Sequence, residues 1–212
     1  MSALRILIVD DHAMLRAGLK KILEDEFADA AIGEAGSVDE AATRLHDSAW
    51  DVLLLDISLP GRSGLDLLPD VRRLYPDTKV IVLSSFGDQQ FAVRSLRTGA
   101  AAFLTKERAA QELIDAIRTV VAGRRFVGAE LAQQLAALIA SDRPKSPHET
   151  LSSREFEVFR LIASAKSVTE IGEELGLSAK TVSTYRTRIL EKMAMSSNAE
   201  LMQYAIRHGL VS

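Results

Sequence analysis

The stretch Ile6-Leu7-Ile8-Val9-Asp10-Asp11, an apolar run that ends in two carboxylates, decides the fold class. The same pattern returns in Val52-Leu53-Leu54-Leu55-Asp56, in Val80-Ile81-Val82-Leu83-Ser84 and in Ala101-Ala102-Phe103-Leu104-Thr105-Lys106. Short, apolar runs rich in β-branched residues are typical of buried parallel strands. The carboxyl ends of parallel strands form the ligand site of an open α/β sheet, so the polar residues that end these runs are expected to meet in one crevice.

The residues of this crevice suit a divalent metal ion and a phosphoryl group. Three carboxylates close together raise one another's pKa, and Mg²⁺ resolves the repulsion because it binds carboxylates, water and phosphoryl oxygens. Asp56 is the candidate phosphoryl acceptor, with Asp10 and Asp11 as partners for the metal. A carboxylate can act as a nucleophile and form an acyl phosphate. Ser84 and Lys106 would each contact a phosphoryl oxygen.

Each of these residues also has a structural interpretation. An Asp after a strand most often forms a turn or caps a helix, and Asp11 could cap a helix that starts at His12. We interpret His12 as a helix-start residue, since no second His stands nearby to share a metal. The functional interpretation therefore depends on several strand ends carrying suitable groups at once.

Composition limits the class of protein. The chain has 212 residues, no Cys and a hydrophobic fraction of 47%, which suits one large or two modest globular domains without disulfides. No stretch approaches the roughly 18 apolar residues of a membrane span, and the start lacks the pattern of a signal peptide, so a cytoplasmic protein without a membrane partner is expected. The formal net charge of −3 does not by itself indicate nucleic-acid binding. Any such function must depend on where the cations lie.

The chain separates into two parts of different periodicity. Strand-like and helical segments alternate over residues 4–121, with the last helix expected at 109–121. Five such units predict an α/β fold, a doubly wound five-stranded parallel sheet with helices on both faces. A short amphipathic helix at 131–139 and a polar stretch with two prolines at 141–147 follow, and after Leu151 only helices are expected. The predicted division is a first domain at 1–122, a linker with a short helix at 123–148 and a small all-α domain at 149–212.

Helical signals are strong in the C-terminal part. Two capping-box patterns begin helices there, Ser152-Ser153-Arg154-Glu155 and Ser167-Val168-Thr169-Glu170. Helices at 168–175 and 179–193, joined by a turn at Gly176, form a helix-turn-helix pattern. This arrangement is typical of domains that place their second helix in the major groove of DNA.

The second helix of this pair has one apolar and one polar face. The apolar face is formed by Val182, Tyr185, Ile189 and Met193. Short polar side chains suit contacts with base edges, and we assign this role to Ser183, Thr184 and Thr187. Cations suit contacts mainly with phosphates, and we assign this role to Lys180, Arg186, Arg188 and Lys192. A solvated face of an ordinary surface helix has the same general pattern, so the face alone does not decide the function.

The motifs of both parts resemble a known family. The segments Ile6–His12, Leu55–Gly61 and Gly99–Lys106 resemble a receiver domain. The residues that resemble a DNA-binding domain of LuxR type are Leu151–Glu155, Thr169–Ile171, Leu177-Ser178, Lys180–Val182 and Lys192. Together they resemble a NarL/FixJ-family response regulator over nearly the whole chain.

The resemblance implies a phosphorylation-switched transcription factor, not an enzyme. It implies that Asp56 takes a phosphoryl group from a phosphohistidine of a sensor histidine kinase. The ligands that it implies for Mg²⁺ are Asp11, Asp56 and the main-chain carbonyl of Ser58, with Asp10 assisting through water. Ser84 and Phe103 match the family's switch pair, in which the hydroxyl moves toward the phosphate and the ring turns inward. The implied partners are double-stranded promoter DNA, bound as a homodimer, and RNA polymerase as a further candidate.

Two other classes stay open. An aspartyl-phosphate phosphohydrolase would turn over substrate at Asp56, although such enzymes normally carry a second Asp two positions on, where this chain has Ser58. A receiver with vestigial phosphorylation would leave a phosphorylation-independent, DNA-binding transcription regulator.

Overall fold

The computed structural model describes residues 3–85, 89–129, 131–133 and 146–211. The chain divides into two compact units, one of residues 1–59 with 64–141 and the other of residues 60–63 with 142–212. Most of the expected short helix at 131–139, and the polar stretch up to residue 145, lie outside the described residues.

The first unit is built on a parallel sheet with the strand order β2-β1-β3-β4-β5-β6. The strands are β1 Arg5–Val9, β2 Ala31–Ala35, β3 Val52–Asp56, β4 Lys79–Ser84, β5 Ala102–Thr105 and β6 Phe126–Val127. The helices between them are α1 Ala13–Glu26, α2 Val38–Asp47, α3 Gly64–Leu74, α4 Gln89–Thr98 and α5 Lys106–Val121. The predicted α/β fold class is confirmed, with one strand more than expected.

The core explains why the strands are continuous apolar runs. Every residue of β3 is buried, which requires cover on both faces of the sheet. On one face, Ile8 and Leu54 pack in a cluster with Leu23 of α1 and Ile117 of α5. Burial of a Leu or Ile side chain contributes roughly 1.5–3 kcal/mol, so these central strands fix the positions of the polar residues at their carboxyl ends.

Two details differ from the expectations for this unit. The sixth strand, Phe126–Val127, pairs with β5 and has only two residues, too few for an alternating pattern to reveal it. Helix α5 begins at Lys106 and not at residue 109, with Thr105 as its N-cap residue. Its first turn, Lys106-Glu107-Arg108, is polar, so the apolar period becomes visible only later in the helix.

The second unit is helical. A 3-10 helix at Pro147–Thr150 precedes α6 Ser153–Ala163, α7 Val168–Leu175, α8 Ala179–Met193 and α9 Asn198–Arg207. Both predicted capping boxes are present, because Ser152 and Ser167 each accept a hydrogen bond from the backbone three residues on. Pro147, which was expected in the linker, opens the 3-10 helix instead.

Helix α8 packs into this unit through its apolar face. Val182, Ile189 and Met193 are buried, with Phe159 of α6 and Leu201 of α9 among the other buried residues of the domain. Within the described segments, no helix has both the length and the apolar character that a membrane crossing requires.

Candidate functional sites

The acidic residues of the first unit meet at the carboxyl end of the sheet. Asp10 follows β1, and Asp56 is the last residue of the neighbouring strand β3. Both side chains are fully buried, and Asp11 is half-buried. One oxygen of each carboxylate and a ring nitrogen of His12 lie within 4.8 Å of one another. This acidic cluster has donor atoms that could bind a metal ion.

Lys106 supplies a positive charge to the cluster. Its Nζ lies 2.8 Å from Oδ2 of Asp56 and 2.7 Å from Oδ2 of Asp10. Burial raises the pKa of Asp56, Lys106 lowers it and the Asp10 charge raises it again, and the result is a pKa above the ordinary value. Burial alone would lower the pKa of Lys106, but Asp56 and Asp10 outweigh it and raise that pKa. Lys106 is therefore held as a cation against two carboxylates.

His12 belongs to this cluster in a way that the sequence analysis did not anticipate. It is the N-cap residue of α1, as a helix-start residue would be, and its side chain makes no cap hydrogen bond. Its Nδ1 lies 2.8 Å from Oδ1 of Asp11 and 3.1 Å from Oδ1 of Asp10. The sequence feature that indicates this contact is the position of His12 directly after the two acids. The lack of a second His argues only against a metal site with two histidines.

Arg16 is a second residue that sequence reasoning missed. Its Nη1 donates to the main-chain oxygen of Asp10 at 2.6 Å, and its Nε donates to Glu34 of β2 at 3.4 Å. Lys20 also reaches Glu34, at 3.2 Å, but does not contact Asp10. Arg16 therefore ties the backbone of the acidic turn to the neighbouring strand.

Gly64 is a third such residue, because it allows the backbone to approach Asp56 closely. A Cβ atom at Gly64 would lie 1.9 Å from the main-chain oxygen of Asp56. The amide of Gly64 donates to the oxygen of Ile57 at 2.8 Å. Any side chain at this position would push on the residue that carries the central carboxylate.

The remaining predicted residues of this site lie at or near the carboxyl ends of β3, β4 and β5. The amide of Ser58 donates to Oδ1 of Asp56 at 3.1 Å. Ser84 ends β4, is buried and pairs in register with Thr105 of β5. Phe103 lies two residues earlier in β5, with 3% of its surface exposed. The sheet thus brings Ser84 to the same edge as Asp56 and places Phe103 inside the domain.

In the second unit, helix α8 presents the predicted polar face. Ser178 caps the helix by accepting from the amide of Thr181. The exposed residues of this face include Lys180, Ser183, Thr184, Thr187 and Arg188. Lys180, Thr184, Arg188 and their neighbours line a surface cavity of about 280 Å³. These side chains are therefore accessible on the domain as described.

Two of the four cations assigned to phosphates are bonded inside the domain. Lys192 donates to Oε2 of Glu155 at 2.6 Å, and Arg186 donates to Oδ1 of Asn198 at 2.6 Å. Lys180 and Arg188 form no ion pair with any residue in the described part of the chain. Lys180 and Arg188 are thus the cations of this face that are not already engaged.

These two units define a class of protein. An α/β domain with a carboxylate cluster at its strand ends, followed by a helix-turn-helix domain, is typical of signal-dependent DNA-binding regulators. The chain belongs to the response regulator family. Residues 6–118 match the response regulator receiver domain, and residues 149–205 match the bacterial regulatory proteins of the luxR family.

Individual relatives agree with the family. The chain is 38% identical to the response regulator UvrY of Escherichia coli K12 over 208 residues, which cover 98% of this chain and 95% of UvrY. It is 38% identical to the response regulator GacA of Pseudomonas viridiflava over 211 residues, 98% of each chain. A structure of the RcsB response regulator of Salmonella typhimurium, described for its DNA interaction, superposes with a TM-score of 0.69 at 25% identity and covers 96% of this chain and 97% of RcsB.

The family and the general function predicted from the sequence are confirmed. The chain is a two-component response regulator, whose receiver and luxR-family domains make it a phosphorylation-dependent regulator of transcription. DNA-binding response regulators are not a class of enzymes.

Proposed function

We propose that Asp56 accepts a phosphoryl group from a phosphohistidine of a sensor histidine kinase, and that this modification controls DNA binding. The observation that carries the proposal is the buried carboxylate of Asp56 at 2.8 Å from Lys106, beside the buried Asp10. A nucleophile held next to a cation at the carboxyl edge of a parallel sheet is suited to phosphoryl transfer.

The transfer is a substitution at phosphorus. An oxygen of the ionised Asp56 carboxylate forms the new P–O bond, while the P–N bond to the kinase histidine breaks and its ring nitrogen keeps the electron pair. Lys106 stabilises the charge on one phosphoryl oxygen, and the Ser84 hydroxyl donates to another. The product is an acyl phosphate on Asp56. Because the protein modifies itself and receives the group from a partner, we propose no enzymatic turnover.

The residues of the acidic cluster fit Mg²⁺. Oδ2 of Asp10 and Oδ1 of Asp11 are buried, with Nζ of Lys106 at 2.7 Å from the first and Nδ1 of His12 at 2.8 Å from the second. Hard oxygen donors of this kind are the ligands that Mg²⁺ prefers. The residues that would hold it are Asp10, Asp11, Asp56 and the main-chain carbonyl of Ser58. When bound, Mg²⁺ neutralises negative charge on the carboxylates and the phosphoryl oxygens.

Ser84 and Phe103 are proposed to carry the signal away from Asp56. Ser84 lies at the end of β4, where its hydroxyl can move toward a phosphoryl oxygen on Asp56. Phe103 is buried in β5, the strand next to β4. Phosphorylation would bias two conformations of this pair, and the bias would change the availability or pairing of the DNA-binding domains.

The polar face of α8 is proposed to lie in the major groove of promoter DNA. Thr184 and Thr187 donate their hydroxyl protons to main-chain oxygens four residues earlier, at 3.0 and 3.2 Å, so their outward lone pairs are left to accept from base amino groups. Ser183 completes the base contacts. Lys180 and Arg188 carry most of the phosphate contacts, with smaller contributions from Arg186 and Lys192.

The working assembly is proposed to be a homodimer on a two-fold operator, since the half-sites of such an operator mirror a pair of identical helix-turn-helix domains. RNA polymerase is a candidate partner at the promoter. A target on chromosomal DNA and a kinase that delivers phosphate together favour a cytoplasmic location.

The substitution Asp56→Asn tests the proposal. We expect the variant to take up no phosphoryl group from a small-molecule phosphodonor in the presence of Mg²⁺. Its DNA affinity should be the same with and without the donor. The control Asp47→Asn changes an exposed residue and should behave as wild type. Intact-mass measurement and titration of a selected DNA duplex provide the readouts. A wild-type DNA response in Asp56→Asn would favour a vestigial receiver, and multiple turnover of a phosphate monoester would favour an enzyme.

A further inference from the structure

A basic cavity lies at the edge of the sheet opposite to Asp56. It has a volume of about 160 Å³ and is lined around the amino-terminal ends of β4 and β5. The charged residues of its lining are Arg72, Lys79, Arg124 and Arg125, and no carboxylate belongs to the lining. Because the sequence from residue 3 to residue 129 carries more acidic than basic side chains, four cations around one cavity are a local reversal of charge.

Arg72 is held in place at this cavity by its contact with Gly99. Its Nη1 donates to the main-chain oxygen of Gly99 at 3.1 Å. Gly99 has a φ of +112°, and a Cβ atom there would lie 2.8 Å from Nη1 and 3.0 Å from Cδ of Arg72. The backbone conformation therefore favours glycine at this position, and a Cβ atom there would displace the guanidinium of Arg72. The remaining N–H groups of Arg72 are free to face a ligand.

The other three cations are not neutralised by the protein. Lys79, Arg124 and Arg125 form no ion pair with any residue of the described segments, unlike Arg73, which pairs with Asp70, and Arg118, which pairs with Glu26. Cations near the C-terminal ends of α3 and α5 also interact favourably with the helix dipoles. Arg72 itself contacts a carbonyl just beyond the end of α4, and the other three cations line the same cavity.

We propose that this cavity binds a compact, multivalent oxyanion, such as pyrophosphate or the phosphates of a small metabolite. Arginine side chains present several N–H donors in a fork that matches phosphate oxygens, and Lys79 adds a point charge. The volume equals that of several water molecules and is smaller than the roughly 300–1,000 Å³ of sites for drug-sized ligands. The ligand is therefore a phosphate group or two, without a large organic body. This site is separate from the phosphoryl acceptor and does not depend on it.

The test is a titration of the full-length, ¹⁵N-labelled protein with inorganic pyrophosphate, followed by amide NMR at constant ionic strength without Mg²⁺. We expect saturable shifts centred on the amides of Gly99 and Gly123. The double substitution Arg124→Gln/Arg125→Gln should weaken binding about tenfold, because two charges are removed from the lining. The matched control Arg73→Gln/Arg118→Gln also removes two exposed arginines, which lie outside the cavity lining, and it should change the affinity less than twofold.

Three results would overturn the proposal. The first is a linear response without saturation, and the second is a set of shifts centred on Lys180 and Arg188 of α8. The third is an equal loss of affinity in Arg73→Gln/Arg118→Gln and in Arg124→Gln/Arg125→Gln, because it would show that only the total charge matters. Amide spectra of the free variants establish that each one is folded, so a lost response is assigned to the removed side chains.

Discussion

Single residues set the charge balance of the acidic cluster. Asp10 and Asp56 are fully buried, and Asp11 adds a third carboxylate, whereas Lys106 supplies one positive charge. Burial raises the pKa of Asp56, so the ionised carboxylate that the proposed chemistry needs is disfavoured in the metal-free protein. The ionised site is therefore less stable without a metal, and a bound cation would reduce this electrostatic cost.

We predict that Asp56→Asn stabilises the metal-free protein at neutral pH. Because the pKa of folded Asp56 lies above its ordinary value, ionisation costs stability above that raised pKa, and the cost disappears as the pH falls below the ordinary value. The advantage of the variant in urea unfolding should therefore shrink from neutral pH to about pH 4. An advantage that stays constant over this range would show that ionisation of Asp56 is not its source.

We predict that Arg16→Met weakens Mg²⁺ binding roughly tenfold, because residues that orient metal ligands typically contribute 10–100-fold to affinity. Arg16 holds the backbone of Asp10 at 2.6 Å, and Lys20→Met is the matched control, since Lys20 shares the partner Glu34 without reaching Asp10. Calorimetric titration with Mg²⁺ measures both variants. An equal loss of Mg²⁺ affinity in Arg16→Met and Lys20→Met would assign the effect to their shared partner Glu34 and not to the contact with Asp10.

At the scale of elements, helix α8 is fixed by the ion pair between Lys192 and Glu155. Burial would raise the pKa of Glu155, but hydrogen bonds from Lys192 and Ser152 outweigh it and lower that pKa. The stabilisation is therefore present above the ordinary pKa of a glutamate and is lost as the pH falls through the lowered value. Since Glu155 also completes the capping box of α6, one carboxylate joins the start of α6 to the end of α8.

We predict that Lys192→Met and Arg188→Met have different effects. Lys192→Met should lower the unfolding free energy by about 1 kcal/mol, because it removes a charged hydrogen bond to a nearly buried carboxylate. Arg188→Met should leave stability unchanged and reduce the salt dependence of DNA binding by about one unit of slope. Urea unfolding and DNA titration at several salt concentrations measure the two effects. A larger slope change in Lys192→Met than in Arg188→Met would contradict the assignment, because it would make Lys192 the stronger phosphate contact.

At the scale of the whole molecule, the sequence predicted the features that depend on local pattern. The strand ends at Asp10 and Asp56 followed from apolar runs, and the capping boxes of α6 and α7 followed from short motifs. The contact of Arg16 with Asp10 was not predictable, because it depends on Glu34 of the neighbouring strand. The need for Gly64 was not predictable either, since it arises from a close approach to the backbone of Asp56.

The two units also differ in what Mg²⁺ should do to their stability. A ligand that binds only the folded state stabilises it by about 2.7 kcal/mol at 100 times its Kd, and only the first unit carries the acidic cluster among the described residues. Trp50, the single tryptophan, lies in the first unit and donates to the main-chain oxygen of Arg44, so its fluorescence reports unfolding of that unit alone.

We predict that Mg²⁺ raises the urea midpoint followed by Trp50 fluorescence, that a chelator reverses the change, and that Asp11→Asn abolishes most of it. The helical signal of the Lys192→Met variant provides the complementary control, because that substitution should destabilise the second unit without reducing the Mg²⁺ effect on Trp50. An equal Mg²⁺ effect in Asp11→Asn would place the cation outside the acidic cluster.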